Sequence, residues 1–129
     1  MSTEALADGK MTDEETAKTV RQLPQRDFAS DGLHTDATGN LLLTDYEHNA
    51  VRRLEQRDEN DATYTIIAQD PRMIWPDTLA VDSQGAVYVM ANQLNRQKQF
   101  HEGKDLRDQP YVLFKFMPDQ RERRMASVR

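Results

Sequence analysis

The feature that most restricts this chain is an internal repeat. Residues 31–49, D-G-L-H-T-D-A-T-G-N-L-L-L-T-D-Y-E-H-N, align without a gap on residues 77–95, D-T-L-A-V-D-S-Q-G-A-V-Y-V-M-A-N-Q-L-N, an offset of 77 − 31 = 46 residues. Asp31, Leu33, Asp36, Gly39 and Asn49 recur as Asp77, Leu79, Asp82, Gly85 and Asn95, and Leu41 and Leu43 become Val87 and Val89. A unit of this length, built as strand, glycine turn and strand, has the period of a β-propeller blade.

Local chemistry agrees with that period. In Asp36-Ala37-Thr38-Gly39-Asn40 and in Asp82-Ser83-Gln84-Gly85 the glycine can take positive φ while the aspartate bonds the backbone ahead of it. The apolar runs predict strands over 32–35, 41–45, 50–54 and 64–68 in a first blade, and over 78–81, 87–91 and 111–116 in a second, which lacks a clear fourth strand. Ahead of the repeat, Thr12 and Glu15 form a capping-box pattern, Ala17, Val20 and Leu23 a short apolar stripe, and Pro24 a stop, predicting one short amphipathic helix. The expected organisation is therefore a helical lead-in over 1–27, two blades over 28–118 (28–73 and 74–118), and a polar tail over 119–129.

Composition narrows the function classes. A net charge of −5 with scattered Lys and Arg does not provide the clustered cations that phosphate binding needs, so no nucleic-acid partner is expected. Arg121, Arg123 and Arg124 share their tail with Asp119 and Glu122 and read as a polar terminus. No cysteine is present to form a disulfide or a thiolate metal site. No 18-residue apolar stretch exists to cross a membrane, and Met1 to Lys10 lack the apolar core of a signal peptide. Propeller blades bury both faces against neighbours, so two blades leave their outer flanks wet; the expected partners are the remaining blades of a longer parent or other copies of this chain.

Beyond the repeat, S-D-G-L-H-T-D-A-T-G-N-L-L-L-T-D-Y-E-H-N-A-V, D-P-R-M-I-W-P-D-T-L-A-V-D-S-Q-G-A-V-Y-V-M-A-N-Q-L-N-R-Q and F-H-E-G-K-D-L-R-D-Q-P-Y-V-L-F-K-F together resemble the C-terminal blades of the yellow / major royal jelly protein family, and look most like its bacterial, dopachrome-tautomerase-related members. The W-P-D-T-L and A-N-Q-L-N-R segments carry most of that resemblance; S-D-G-L-x-x-D-x-x-G-N is shared with gluconolactonase- and regucalcin-type propellers. The resemblance implies an all-β, partial six-bladed propeller of about two blades, in other words a fragment of the family's ring. It also implies a secreted parent that takes a small molecule in its central channel. Yellow proteins are linked to melanin chemistry, some relatives bind small biogenic amines, and royal jelly members serve as nutrient and sterol carriers, so the resemblance fixes no reaction. A metal-dependent lactonase of the gluconolactonase type and a noncatalytic secreted binding protein stand as the alternatives.

In a propeller, the loop leading into the innermost strand and the loop between the second and third strands open at the same mouth of the channel. That places Asp31, Asp77, Asn92, Gln93 and His48 as the candidate ligand-binding residues, with Asp45, Tyr46, Asn49 and Asn95 beside them. Asp77 is the candidate metal ligand by analogy with the acidic position of the gluconolactonase-type motif, and oxygen donors there suit calcium or another hard divalent cation. Against this, such a site needs about six oxygens, Thr78 replaces the glycine of P-D-G, and aspartates that punctuate repeats commonly bond backbone N–H groups. His34 and His48 are the histidines placed for proton transfer, with no spacing that marks a dyad, while His101 belongs to a charged excursion from the sheet. Trp75, the sole tryptophan, reads as inter-blade packing ahead of ligand stacking.

Overall fold

The computed structural model describes residues 3–20, 27–56 and 62–118. Two short helices, α1 (Thr3–Ala7) and α2 (Asp13–Ala17), precede seven strands: β1 (Leu33–Thr35), β2 (Leu41–Asp45), β3 (Ala50–Gln56), β4 (Ala62–Gln69), β5 (Pro76–Val81), β6 (Val87–Ala91) and β7 (Val112–Phe116). The strands form an antiparallel meander of four, β1-β2-β3-β4, and one of three, β5-β6-β7. This is the architecture of two successive propeller blades, as the repeat predicts, the second with three strands among the described residues.

The lead-in departs from the expected single helix. The capping box is present, with Thr12 Oγ1 accepting from Glu15 N at 3.2 Å and Glu15 Oε2 accepting from Thr12 N at 2.8 Å. Yet α2 lasts five residues and buries none of them. The 8–10 turn around Gly9 divides it from α1, and helices this short gain too little from internal hydrogen bonds to extend without a packed face. Val20 of the anticipated stripe is exposed, and Leu23 and Pro24 lie outside the described residues, as does the 119–129 tail.

The two repeat turns are superimposable in their bonding. Asp36 N donates to Asn40 O and Gly39 N to Asp36 O; Asp82 N donates to Ala86 O and Gly85 N to Asp82 O. Asp36 Oδ1 accepts from Thr38 N and Asn40 N, and Asp82 Oδ1 from Gln84 N and Ala86 N. Gly39 and Gly85 take φ of +88° and +83°, which a side chain would strain. Burial works to raise the Asp36 pKa, but the bonds from Thr38 and Asn40 outweigh it and hold the carboxyl below its usual value. Asp82 is lowered chiefly by the Ala86 N–H.

Strand alternation decides how the sheets stack. Leu42 and Val51 from the first sheet form one buried cluster with Leu79, Val87, Val89 and Ala91 from the second and Met73 from the connection. Leu42 is equivalent by the repeat to Tyr88, not to Val87 or Val89, so the back of one sheet packs on the front of the next. Such front-to-back stacking leaves each end of the pair with a different face. The free face of the first sheet carries Leu43 and Leu54 and is covered by Phe28, whose ring meets Tyr64 edge-on at 5.4 Å. The free face of the second holds Tyr88, Met90, Leu113 and Lys115, with Met90 41% and Leu113 58% exposed.

Candidate functional site

The site is assembled where β1 and β5 begin, the β2–β3 turn closes and β6 ends, all at one end of the two sheets. Thr44 fixes the first inner strand. Its Oγ1 accepts from Asp31 N at 3.1 Å and Gly32 N at 2.8 Å, and its own N–H donates to Gly32 O at 3.0 Å. With the backbone so held, a Cβ on Gly32 would lie 2.0 Å from Asp77 O, and only glycine allows the inner strands of the two blades to approach this closely. Thr78, the repeat equivalent of Gly32, is exposed and so has no need to be glycine.

Asp31 reaches across that junction. Its carboxylate is exposed, and Oδ2 accepts from Trp75 Nε1 at 3.0 Å. The Trp75 ring lies parallel to Tyr46 of the first blade, with centroids 4.1 Å apart and planes 10° from parallel, so the tryptophan is an inter-blade contact as expected. Its backbone takes φ of +55° although proline follows it, a position where β or polyproline geometry is ordinarily preferred. Asn92 N donates to Trp75 O and Gln93 N to Ile74 O, and these bonds hold the segment in place. Of the four non-glycine residues with positive φ among the described residues, Asn49, Trp75 and Gln93 lie on loops at this end. Backbone held in such regions is concentrated at binding sites.

Asp77 sits in a β-bulge between Pro76 and Thr78, and its Oδ2 accepts from Asn92 Nδ2 at 2.9 Å, while Asn92 Oδ1 accepts from Leu94 N. Among the described residues no group of three or more His, Cys, Asp or Glu side chains converges as a cation cage, so the Asp77–Asn92 pair does not by itself supply the roughly six oxygens a calcium ion takes. Gln93 is buried, and its amide is engaged by one backbone unit, donating to Asp108 O at 2.7 Å and accepting from Asp108 N at 2.9 Å. It therefore pins the excursion over 94–111 to the mouth. In that excursion His101 Nε2 contacts Asn95 O, and two single 3₁₀ turns, Leu94–Arg96 and Lys98–Phe100, carry the chain. His34 lies on β1 with Nδ1 2.8 Å from Thr35 O.

His48 stands apart from the other four. The β2–β3 register puts Asp45 opposite Ala50, on the face shared by Leu43 and Arg52, which is the face covered by Phe28 and turned away from the second blade. There His48 Nδ1 lies 2.9 Å from both oxygens of Asp45, a carboxylate with no exposed surface. Asp45 also accepts from Arg52 Nε at 2.7 Å and from His48 N at 3.0 Å. Arg52 in turn lies over the Phe28 ring and pairs with Asp27. Sequence reasoning finds no dyad for His48; the pair exists because the D-Y-E-H turn folds the imidazole back onto a carboxylate three residues earlier. The one available sign is an aspartate closing a strand three residues before a histidine, a spacing that ordinary turns also produce.

Similarity to known proteins agrees with this architecture. The family model of major royal jelly protein matches residues 1–113, and the chain belongs to that family. No curated protein matches it. Among solved structures, selenomethionine-substituted virginiamycin B lyase from Staphylococcus aureus is similar over 74% of this chain at 14% identity with a TM-score of 0.41, a likeness too loose to bear on fold or chemistry. This chain spans 29% of the length of that lyase.

Proposed function

We propose that the mouth between the two blades binds a small aromatic amine, as part of a larger propeller of the major royal jelly protein family acting outside the cell. The observation that carries this reading is the Asp31–Trp75–Tyr46 group. An exposed carboxylate, with one oxygen occupied by an indole N–H, stands at the edge of a parallel aromatic pair in a strained loop. Asp77 and Asn92 add a second carboxylate and an amide on the neighbouring strand. Carboxylates beside aromatic surface suit a cation joined to a ring, since the carboxylate attracts the charge and the aromatic faces receive the ring. The family's association with melanin chemistry makes a catecholamine the natural probe. Dopachrome-type tautomerisation, as a reaction of the bound ligand, is the finer form of the same reading.

Trp75 is the chain's only tryptophan, so its fluorescence reports on this mouth directly. Titration of the full chain with dopamine is expected to quench it saturably, and Asp31→Asn to weaken the affinity about tenfold, the cost of about 1.4 kcal/mol in binding. A titration that does not saturate, or equal affinity in Asp31→Asn, overturns the reading. A parallel calorimetric titration with calcium addresses the lactonase alternative, which requires a binding event that Asp77→Ala weakens about tenfold or more.

A further inference from the structure

We propose that Asp8–Gly9, in the turn between α1 and α2, is a modification site at which this chain converts aspartate to isoaspartate, and that Thr44 and Trp75 hold the same dipeptide at Asp31–Gly32 unreactive. The sequence contains two Asp-Gly pairs, and a glycine nitrogen has no side chain beside it to hinder attack on the aspartate Cγ. The hydrogen bonds at each pair therefore decide its fate. Asp8 and Gly9 are exposed, Gly9 N makes no hydrogen bond among the described residues, and a Cβ built on Gly9 meets nothing within 4 Å. Lys10 N donates to Asp8 Oδ1 at 3.0 Å, which turns the carboxylate toward the chain that follows it. At Asp31–Gly32 both reacting groups are occupied. Gly32 N donates to the hydroxyl of buried Thr44 at 2.8 Å, and Asp31 N is tied to the same oxygen. Asp31 Oδ2 accepts from Trp75 Nε1 at 3.0 Å, which draws the carboxylate across the blade junction. The backbone there also lacks room to swing, since a Cβ on Gly32 would lie 2.0 Å from Asp77 O.

In the step proposed, Gly9 N bonds to Asp8 Cγ, and the amide hydrogen leaves with the carboxyl hydroxyl as water, closing a five-membered succinimide. Water then opens the ring. Addition at the former side-chain carbonyl restores aspartate. Addition at the former main-chain carbonyl routes the backbone through the β-carbon and frees the α-carboxylate as the side group. Nothing is oxidised or reduced, and the chain regains its starting mass and charge. The freed α-carboxylate is the group that an isoaspartyl carboxyl methyltransferase esterifies with the methyl of S-adenosylmethionine, so the converted turn is a methyl acceptor. The fold tolerates the longer backbone at this place, because α2 buries none of its residues and the turn packs on neither sheet. At Asp31 the same change would lengthen the chain where the inner strands have no space and would displace a carboxylate of the mouth. Thr44 thus guards the mouth chemically as well as shaping it. Attack at Asp31 requires a local opening that breaks the bonds holding it, and the rate falls with the population of that opening.

The test is to age the full chain in warm, mildly acidic buffer and digest it with trypsin, which releases the two pairs in separate peptides, 1–10 and 27–52. Isoaspartate is measured as methyl groups transferred by an isoaspartyl carboxyl methyltransferase and located by electron-transfer fragmentation. It is expected to accumulate at Asp8, and at Asp31 at least about tenfold more slowly, the effect of the bonds that must open. Thr44→Val removes the acceptor of Gly32 N and is expected to speed conversion at Asp31 at least about tenfold while leaving Asp8 unchanged. In concentrated urea the two sites of the unaltered chain should convert at comparable rates, and this comparison decides if Thr44→Val does not fold. No isoaspartate at Asp8, equal rates at Asp8 and Asp31 in the folded chain, an unchanged rate at Asp31 in folded Thr44→Val, or a difference that persists in urea each overturns the proposal, whatever the dopamine titration shows.

Discussion

At the same place in the repeat the first blade has Thr44 and the second has Met90. The Thr44 hydroxyl receives two backbone N–H groups and ties the S-D-G segment to β2, whereas Met90 has no such capacity and lies 41% exposed on the open face. The β2–β3 turn of the first blade is four residues long and tightly bonded, while the second blade replaces it with a twenty-residue connection over 92–111, pinned by Gln93 to Asp108. One free face is covered by Phe28 and the other is not. One repeat has thus produced a self-contained sheet that positions the site and a sheet that lends it a strand edge. The lesson is that the 46-residue period specifies the turns, the strand pairing and the matched positions of Asp31 and Asp77, and the residues that differ between the copies decide which face is covered and how the loops around those aspartates are held.

The sharpest way to break this comparison is Gly32→Ala. Its Cβ would meet Asp77 O at 2.0 Å, so the inner strands must separate, and we expect a loss of about 4 kcal/mol or more in urea unfolding, in the range reserved for severe core defects. Gly39→Ala meets nothing within 4 Å and strains only a positive φ, so about 1 kcal/mol is expected there. Equal effects at the two glycines would mean that the blades do not approach as described.

Next in size is Asp45→Ala. It leaves the buried Arg52 guanidinium without its closest carboxylate, and we expect about 3 kcal/mol of destabilisation by the same measurement. Thr44→Val comes after it, removing the acceptor of two N–H groups at a cost of about 1–3 kcal/mol, whereas Met90→Leu should cost under about 1 kcal/mol. A reversed order would remove the distinction between the blades.

The smallest effect is expected in acid. Asp36 and Asp82 have folded-state pKa values below their ordinary ones, so their contribution to stability is present above pH 4 and lost as pH falls through the lowered values. Asp70 and Asp105, held at about 2 by hydrogen bonds from Arg72 and Arg107, extend that decline to lower pH. Urea midpoints should therefore be flat from pH 7 to about 5 and fall from about 4 toward 2. Asp36→Asn together with Asp82→Asn should make that fall shallower, and an unchanged slope would deny these turns their bonding.

Much of the fold is legible in the sequence because it is local. The Asp-x-x-Gly turns and the strands they join depend on residues within ten positions of one another. Asp31, Asp77 and Asn92 can be found because the repeat carries them to one end of the sheets. The features that escape are set by distance or by sidedness. The Asp31–Trp75 bond joins residues 44 apart and depends on a left-handed backbone at Trp75. Phe28 covers a face whose exposure the strand pattern alone predicts. The repeat places His48 at the right end of the blade, but only the register that pairs Asp45 with Ala50 shows that it looks away from Trp75. The helical lead-in is shorter than its sequence pattern suggests because a correct capping box marks where a helix begins and says nothing of how far it continues.

The two sheets stack front to back, so that neighbouring residues of β6 and β7 alternate between a sealed interface and an open face. The absence of cysteine makes this directly measurable by introducing one thiol at a time. At low protein concentration, Met90→Cys and Leu113→Cys should react with a maleimide nearly as fast as a free thiol, while Leu42→Cys and Val89→Cys should be protected on the order of 10²-fold or more, as groups reached only through opening of the structure. Equal protection at Val89 and Met90, or a reactive Leu42 beside a protected Leu113, would contradict the stacking and with it the mouth that the two blades form.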